Sequence, residues 1–188
     1  MRSKFIGLYG LYLVLVLGGC ATSGAYTQAD KRQAILSMKQ EVLSELYSTR
    51  PGARTQVANA PGYAVFSNAN VNLVLASFSG GNGVVRDNGN GKNTYMKMGE
   101  AGIGFGLGVK DFRAVFVFHN RDTLQRFIDS GWEFGAHADA AAKANEKGGA
   151  IGGEILLDGV TVYQMTESGL ALQATVKGTR YWKDAELN

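Results

Sequence analysis

The sequence predicts an α+β domain: a curved, mostly antiparallel, barrel-like sheet packed with an N-terminal helix and one inserted helix. Three observations lead to this fold class. Apolar residues recur at helical spacing over residues 29–48, whereas from Tyr63 onward short apolar runs alternate with turn signals. The turn signals include two Asn-Gly pairs, at 88–89 and 90–91, which are typical of hairpins. With 45% apolar residues, the 188-residue chain can build a core despite its 26 glycines.

The N-terminal helix is predicted over 29–48. Thr27 or Gln28 lies at its start and Asp30 in its first turn, as expected for a capped helix. Arg50-Pro51-Gly52 ends it, and a short second helix over 53–60 precedes Pro61. One side of the long helix carries the apolar residues Ile35, Leu36, Met38, Val42, Leu43, Leu46 and Tyr47.

The middle of the chain predicts strands and then a helix. Glycine and asparagine make the stretch 79–93 look rich in turns. Asn120 can cap a helix that buries Leu124, Phe127 and Ile128 and ends at Gly131. Residues 133–147 fit a helix or a strand equally well. Strands are predicted at 63–66, 71–78, 94–98, 101–109, 113–118, 154–166 and 170–178, with 101–109 and 113–118 forming an antiparallel hairpin through a tight turn at Lys110-Asp111.

The strand at 101–109 has an unusual pattern. Bulky apolar residues alternate with Gly102, Gly104, Gly106 and Gly108, so one face of the strand would carry no side chains. Two explanations fit: a helix packs unusually close against the bare face, or the face admits an acyl chain. Close packing is the favoured interpretation.

The first residues have the features of a secretory signal. Arg2 and Lys4 precede an apolar run over 5–17, which is too short to span a bilayer. The following Leu17-Gly18-Gly19-Cys20 resembles the bacterial lipobox. The resemblance implies that the signal is cleaved off before Cys20, which becomes the new N-terminus and is acylated. The alternative is an ordinary signal peptide with a chance cysteine. We therefore expect a signal peptide at 1–19, a lipidated tether at 20–28 and a single domain at 29–188.

Position 21 and the charge balance set the expected surroundings. By the sorting rule of Gram-negative lipoproteins, Ala21 implies the outer membrane, with the domain facing the periplasm. The net charge of +3 falls by two when Arg2 and Lys4 leave with the signal, so no nucleic-acid partner is expected. Because Cys20 is the only cysteine, no disulfide forms within the chain.

The sequence lacks the usual catalytic and cofactor motifs. It contains no dinucleotide fingerprint, no phosphate-binding P-loop and no Gly-x-Ser-x-Gly. The two histidines, His119 and His137, have no partner at metal-ligand spacing. We expect no cofactor, no metal and no enzymatic activity.

Three segments resemble the SYLF family. They are "APGYAVFSNANVNLVLASFSGGNGVV", "GEAGIGFGLGVKDFRAVFVF" and "GLALQATVKGTRYW", and together they cover about 57–188. The resemblance implies a lipid-binding module. Eukaryotic relatives bind phosphoinositide membranes, and some bundle actin. Actin binding is not carried over, because a periplasm-facing protein does not meet cytoplasmic actin.

The predicted function is an outer-membrane-anchored lipoprotein with a non-catalytic phospholipid-binding domain. Basic residues mixed with interfacial aromatic residues suit an anionic lipid surface. The alternative is a structural or interaction lipoprotein of the cell envelope, with a peptidoglycan partner or a protein partner of unknown identity. The candidate headgroup contacts are Lys177, Arg180, Tyr181, Trp182 and Lys183, with Lys110 and Arg113 as a weaker second patch.

Overall fold

The computed structural model describes residues 26–68, 80–100, 112–133, 154–157, 159–166, 169–170 and 179–188. In these ranges the chain is α+β: three helices and a curled, half-barrel antiparallel sheet. The helices are α1 (Gln28–Thr49), α2 (Pro51–Asn59) and α3 (Arg121–Ser130). The strands are β1 (Gly62–Ser67), β2 (Gly80–Asp87), β3 (Asn93–Glu100), β4 (Arg113–Phe118), β5 (Trp132–Glu133), β6 (Glu154–Leu157), β7 (Val160–Thr166), β8 (Gly169–Leu170) and β9 (Thr179–Lys183).

The sheet has the strand order β5-β9-β3-β2-β1-β4-β7-β6, with β8 beside β7, and all of these pairings are antiparallel. The predicted fold class is confirmed. The predicted hairpin of 101–109 with 113–118 is wrong in its pairing, because β1 and β7 occupy both edges of β4 along its whole length. The predicted partner strand, 101–109, lies outside the described residues, as do 71–78, 134–147 and 171–178.

The long helix α1 forms where its capping residues and apolar stripe predict it. Thr27 and Asp30 make a reciprocal capping box, in which the Thr27 hydroxyl accepts from the Asp30 N–H and the Asp30 carboxylate accepts from the Thr27 N–H. Four residues one helical turn apart, Ile35, Met38, Val42 and Leu46, are buried against the sheet. Their neighbours there are the aliphatic residues Val65, Val84, Val115 and Val117. This side of the sheet is called the α1 face below.

The opposite side, called the α3 face, is aromatic. Its core includes Phe66, Phe116, Phe118, Phe127 and Tyr181, whose rings pack edge-on or tilted with centroids 4.6–6.1 Å apart. The helix α3 begins with an Asn120 side-chain cap on the Thr123 N–H and ends at Gly131, where φ is +68°, a value that favours glycine. The sequence predicts both ends correctly.

The strand β2 occupies part of the stretch that was predicted to be rich in turns. The reason lies on the α3 face: a Cβ on Gly83 would stand 2.2 Å from a Phe66 ring carbon, and one on Gly81 would stand 2.3 Å from the Met98 methyl. These glycines therefore make room for large neighbours within a strand, and do not mark a turn. The turn itself is confined to Asn88–Asn90.

The turn after β2 is tied to α3 by a buried carboxylate. Asp87 accepts two hydrogen bonds from the Arg121 guanidinium, at 2.8 and 2.9 Å, and one from the Gly89 N–H at 2.8 Å. These bonds, Arg121 first, hold the pKa of Asp87 below its usual range. The β2–β3 hairpin and the inserted helix are thus fixed to each other at one end of the sheet.

Candidate functional site

The strand β9 divides the predicted headgroup contacts between the two faces of the sheet. Successive side chains of a strand point to opposite sides. Arg180 and Trp182 lie on the α1 face, opposite Gly99 and Lys97 of β3. Tyr181 and Lys183 lie on the α3 face. Of the four predicted residues from the end of the chain that the structure describes, it therefore brings together two, Arg180 and Trp182.

Four residues at this corner form what we call the Trp182 patch: Lys97, Gly99, Arg180 and Trp182. Trp182 is 40% exposed, and Tyr26 is the other large apolar side chain found exposed within the described ranges. The indole lies over bare backbone, since a Cβ on Gly99 would stand 2.9 Å from its Cη2 atom. Gly99 thus lets a wide ring rest on the sheet while its other side faces solvent.

The charges of the patch are partly balanced. Lys97 places its ammonium 3.5 Å from a carboxylate oxygen of Asp184, which is almost fully buried. Glu133 of β5 stands opposite Arg180 in the strand register. The charge of Lys97 is therefore partly neutralised, and the exposed indole is the more distinctive feature of this surface.

Tyr181 does not contact the surface, which corrects the expectation that it binds a headgroup. Its side chain is 1% exposed, and its ring centroid lies 4.6 Å from that of Phe66 and 5.1 Å from that of Phe116. This burial raises the pKa of Tyr181 above its usual range. The residue belongs to the aromatic core and positions its neighbours Arg180 and Trp182.

The remaining predicted contacts are dispersed. Lys183 lies 3.8 Å from the Asp129 carboxylate of α3, on the other side of the sheet. Arg113 pairs with Glu45 of α1 and stands four strands from β9, about 19 Å away at ordinary strand spacing. It does not join the Trp182 patch. The other candidates, Cys20, Lys110 and Lys177 together with Gly102, Gly104, Gly106 and Gly108, lie outside the described residues.

Lys97 and Gly99 were missed by the sequence reasoning. The available signal was the alternation in "TYMKMGE", where Met96 and Met98 point to the aromatic core and Lys97 and Gly99 to the opposite face. Pairing of this strand with the end of the chain could not be read locally. Gly99 and Trp182 are separated by 82 residues, and no local pattern links the two strands.

The last residues of the chain lock β3 to α1. The Asn188 amide accepts from the Tyr95 N–H at 3.0 Å and donates to the Tyr95 carbonyl at 2.7 Å, as a neighbouring strand would. The Arg32 Nε donates to the Leu187 carbonyl at 2.9 Å, and the Lys31 ammonium lies 3.5 Å from the Glu186 carboxylate. Leu187 is buried in the α1-face core. The start of α1 and the end of the chain are therefore neighbours.

Within the described ranges, no group of three or more His, Cys, Asp or Glu side chains could hold a metal ion. No helix among the same residues is long and apolar enough to cross a bilayer. The candidate site is therefore a surface, made of an aromatic ring, two long basic side chains and bare backbone.

The described part of the chain is an α+β domain built on a curled antiparallel sheet, with an exposed tryptophan beside basic residues at one corner. Residues 99–188 match a family profile described as Ysc84, Las17-binding protein actin regulator. The chain is also 33% identical over 161 residues to Beta cell expansion factor A of Aeromonas veronii. That alignment covers 86% of this chain and 60% of the relative. Both matches support a SYLF-domain protein, the family that its motifs resemble. SYLF domains are a non-catalytic family.

Proposed function

We propose that this protein is a lipoprotein of the outer membrane, anchored through Cys20, whose SYLF domain binds anionic phospholipid without catalysis. The Trp182 patch is the proposed contact. The observation that carries the proposal is the Trp182 indole, which is 40% exposed and lies over Gly99, with Lys97 and Arg180 beside it.

The side chains of the patch suit the interface between water and lipid. An indole has an apolar body and one polar N–H, and tryptophan is enriched where membranes meet water. Lysine and arginine can lay their apolar stems along the surface while their charged ends reach phosphate groups. Each basic residue near an anionic surface contributes about 1 kcal/mol, less where a carboxylate competes, as Asp184 does for Lys97.

The names of the relatives describe other activities. The family profile carries the description of an actin regulator, and the Aeromonas protein that of a beta cell expansion factor. We do not propose actin binding here, because the proposed compartment contains no cytoplasmic actin. Since this chain spans about 60% of the Aeromonas protein, the activity of that whole protein is likewise not transferred.

Vesicle co-sedimentation tests the lipid contact. Residues 21–188 contain every residue of the described fold and would be mixed with phosphatidylcholine vesicles of graded phosphatidylglycerol content. We expect binding that rises with anionic content and falls with salt. Trp182→Ala combined with Arg180→Gln should weaken it about tenfold, which corresponds to about 1.4 kcal/mol.

Lys183→Gln is the matched control, because Lys183 lies on the same strand but on the opposite face. It should bind like the wild type. Absence of binding at low salt would overturn the lipid proposal and favour the alternative, an envelope lipoprotein with a protein or peptidoglycan partner. Equal weakening by Lys183→Gln would show that the charge of the strand matters and that the patch does not.

Metabolic labelling tests the anchor separately. Labelled palmitate should enter the wild-type chain and not the Cys20→Ala chain, because the acyl groups are attached at the new N-terminal cysteine. The wild type should fractionate with the outer membrane. Equal label in both chains, or no label in either, would contradict acylation at Cys20. The vesicle experiment would still test lipid binding by the domain independently.

A further inference from the structure

The start of α1 lies beside the Trp182 patch. Arg32 bonds the Leu187 carbonyl, and its guanidinium carbon is 5.9 Å from the centre of the Tyr95 ring. Tyr95 and Lys97 are two residues apart on the same side of β3, and Lys97 stands opposite Trp182. A short series of contacts therefore leads from the first turns of the helix to the exposed indole.

The distances along this series are small. Thr27 precedes Arg32 by five residues, about 7.5 Å along a helix. Two residues of strand and one strand spacing add about 12 Å more. Thr27 and Trp182 are therefore linked by about one and a half turns of helix, the Arg32–Tyr95 contact, two residues of strand and one strand spacing, and the six residues 21–26 extend at most about 20 Å beyond Thr27. A membrane that holds Cys20 is thus within reach of the patch.

The two large apolar side chains that are exposed within the described ranges, Tyr26 and Trp182, lie at the two ends of this contact series. Tyr26 is 48% exposed and directly precedes the α1 cap, at the end of the tether. Trp182 is at the other end of the contact series. Two side chains of the kind found at membrane interfaces therefore lie at the ends of the contact series that starts where the tether joins α1.

We propose that the Trp182 patch binds the same leaflet in which Cys20 is anchored, and not a second membrane. This inference rests on the proposed function. The tether raises the effective lipid concentration at the patch to the millimolar range, so a surface with partly balanced charges is bound even where the unanchored domain binds weakly. The anchor and the patch act as two contacts with one bilayer.

Brominated phospholipids test this orientation, since bromine quenches tryptophan only at close range. The chain has two tryptophans, so Trp132→Phe leaves Trp182 as the only reporter. The ring centroids of Trp132 and Phe127 are 5.9 Å apart, so a phenylalanine at position 132 keeps an aromatic ring beside Phe127. The lipidated protein is reconstituted into phosphatidylglycerol–phosphatidylcholine vesicles, with brominated lipid either in the same vesicles or only in a second, added population.

We expect Trp182 fluorescence to fall about twofold with bromine in the same vesicles and to stay unchanged with bromine in the second population. The Lys183→Gln protein should behave identically. Quenching only by the second population would overturn the same-leaflet inference while keeping lipid binding. No quenching in either arm would overturn it too. In that case, sedimentation of residues 21–188 with anionic vesicles shows whether the proposed function fails with it.

Discussion

The two faces of the sheet are built differently. The α3 face is a cluster of interlocking rings, in which Phe127 contacts Phe66, Phe116, Phe118, Trp132 and Tyr181. The α1 face is mainly aliphatic: its helix crosses valines, and its core contains two buried tyrosines, Tyr95 and Tyr163. The helix α1 does not cover β9 on this face, and Trp182 of β9 is exposed there. The comparison teaches that one face supplies rigidity and the other leaves a corner available for contact.

The largest effect is expected from opening the aromatic face. Phe127→Ala removes a ring that meets five others and leaves a cavity that rigid neighbours cannot fill. The free energy of unfolding should fall by about 3–5 kcal/mol, measured by urea denaturation at pH 7. Gln125→Ala, on the exposed side of the same helix, is the control and should cost little. A loss below about 1 kcal/mol for Phe127→Ala would show that this face is not the rigid one.

The aliphatic face should tolerate the matching change better. Leu46 is fully buried under α1, and Leu46→Ala should cost about 2–4 kcal/mol, because a single helix can settle toward the valines beneath it. The comparison between the faces fails if Leu46→Ala is costlier than Phe127→Ala in the same urea titration. Glu41→Ala, on the exposed side of α1, controls for helix propensity.

The connection between the hairpin and α3 should make stability depend on pH. The pKa of Asp87 is lowered in the folded protein, chiefly because Arg121 donates hydrogen bonds to the ionised carboxylate. An unfolded Asp titrates near 3.9, so this stabilisation is present above about pH 4 and is lost as the pH falls through the lower folded pKa.

Asp87→Asn should therefore lower Tm by about 5 °C at pH 7, and the difference from the wild type should shrink below about pH 4. Calorimetry from pH 2 to pH 7 measures both. Asp129→Asn, an exposed carboxylate on α3, is the control with little expected change. A Tm difference that stays constant across this range would contradict the role of the Asp87 charge.

The smallest expected effect is a gain in stability, from a substitution at Gln164. Gln164 of β7 is 1% exposed, and neither of its amide atoms has a hydrogen-bond partner among the described residues. Gln164→Met keeps the shape and removes the unpaired polar atoms, so unfolding should cost about 1 kcal/mol more. Thr161→Val on the same strand should lower the free energy of unfolding, because it removes the hydrogen bond of 2.8 Å between the Thr161 hydroxyl and the His119 Nε2 atom. A lower Tm for Gln164→Met would show that the amide is satisfied in solution.

Local signals explain which parts of the fold could be predicted. The helices α1 and α3 were predicted because their caps and apolar stripes are contiguous in the sequence. The stretch 79–93 looks rich in turns because its glycines are conspicuous locally, whereas Gly81 and Gly83 make room for Met98 and Phe66, which lie elsewhere in the sequence. The pairing of β4 with β1 and β7 is equally non-local, and the expected hairpin failed for that reason.

The candidate site was predicted by composition but not by geometry. A basic and aromatic cluster at 177–183 pointed to the right strand, yet Tyr181 was assigned to the surface although it lies in the core. Strict alternation along β9 would have separated it from Arg180 and Trp182. Lys97 and Gly99 join the patch only through the long-range pairing of β3 with β9, and no single segment of sequence encodes that pairing.

The contact between α1 and the end of the chain has a topological consequence. Lys31 and Arg32 contact Glu186 and Leu187, so the start of α1 and residues 186–187 are neighbours in space. A short linker could therefore join these two segments, and the chain could begin at another exposed position. A permuted chain, with residue 188 joined to residue 27 by a short linker and new ends at the exposed turn near Gly89, should keep the same sheet order.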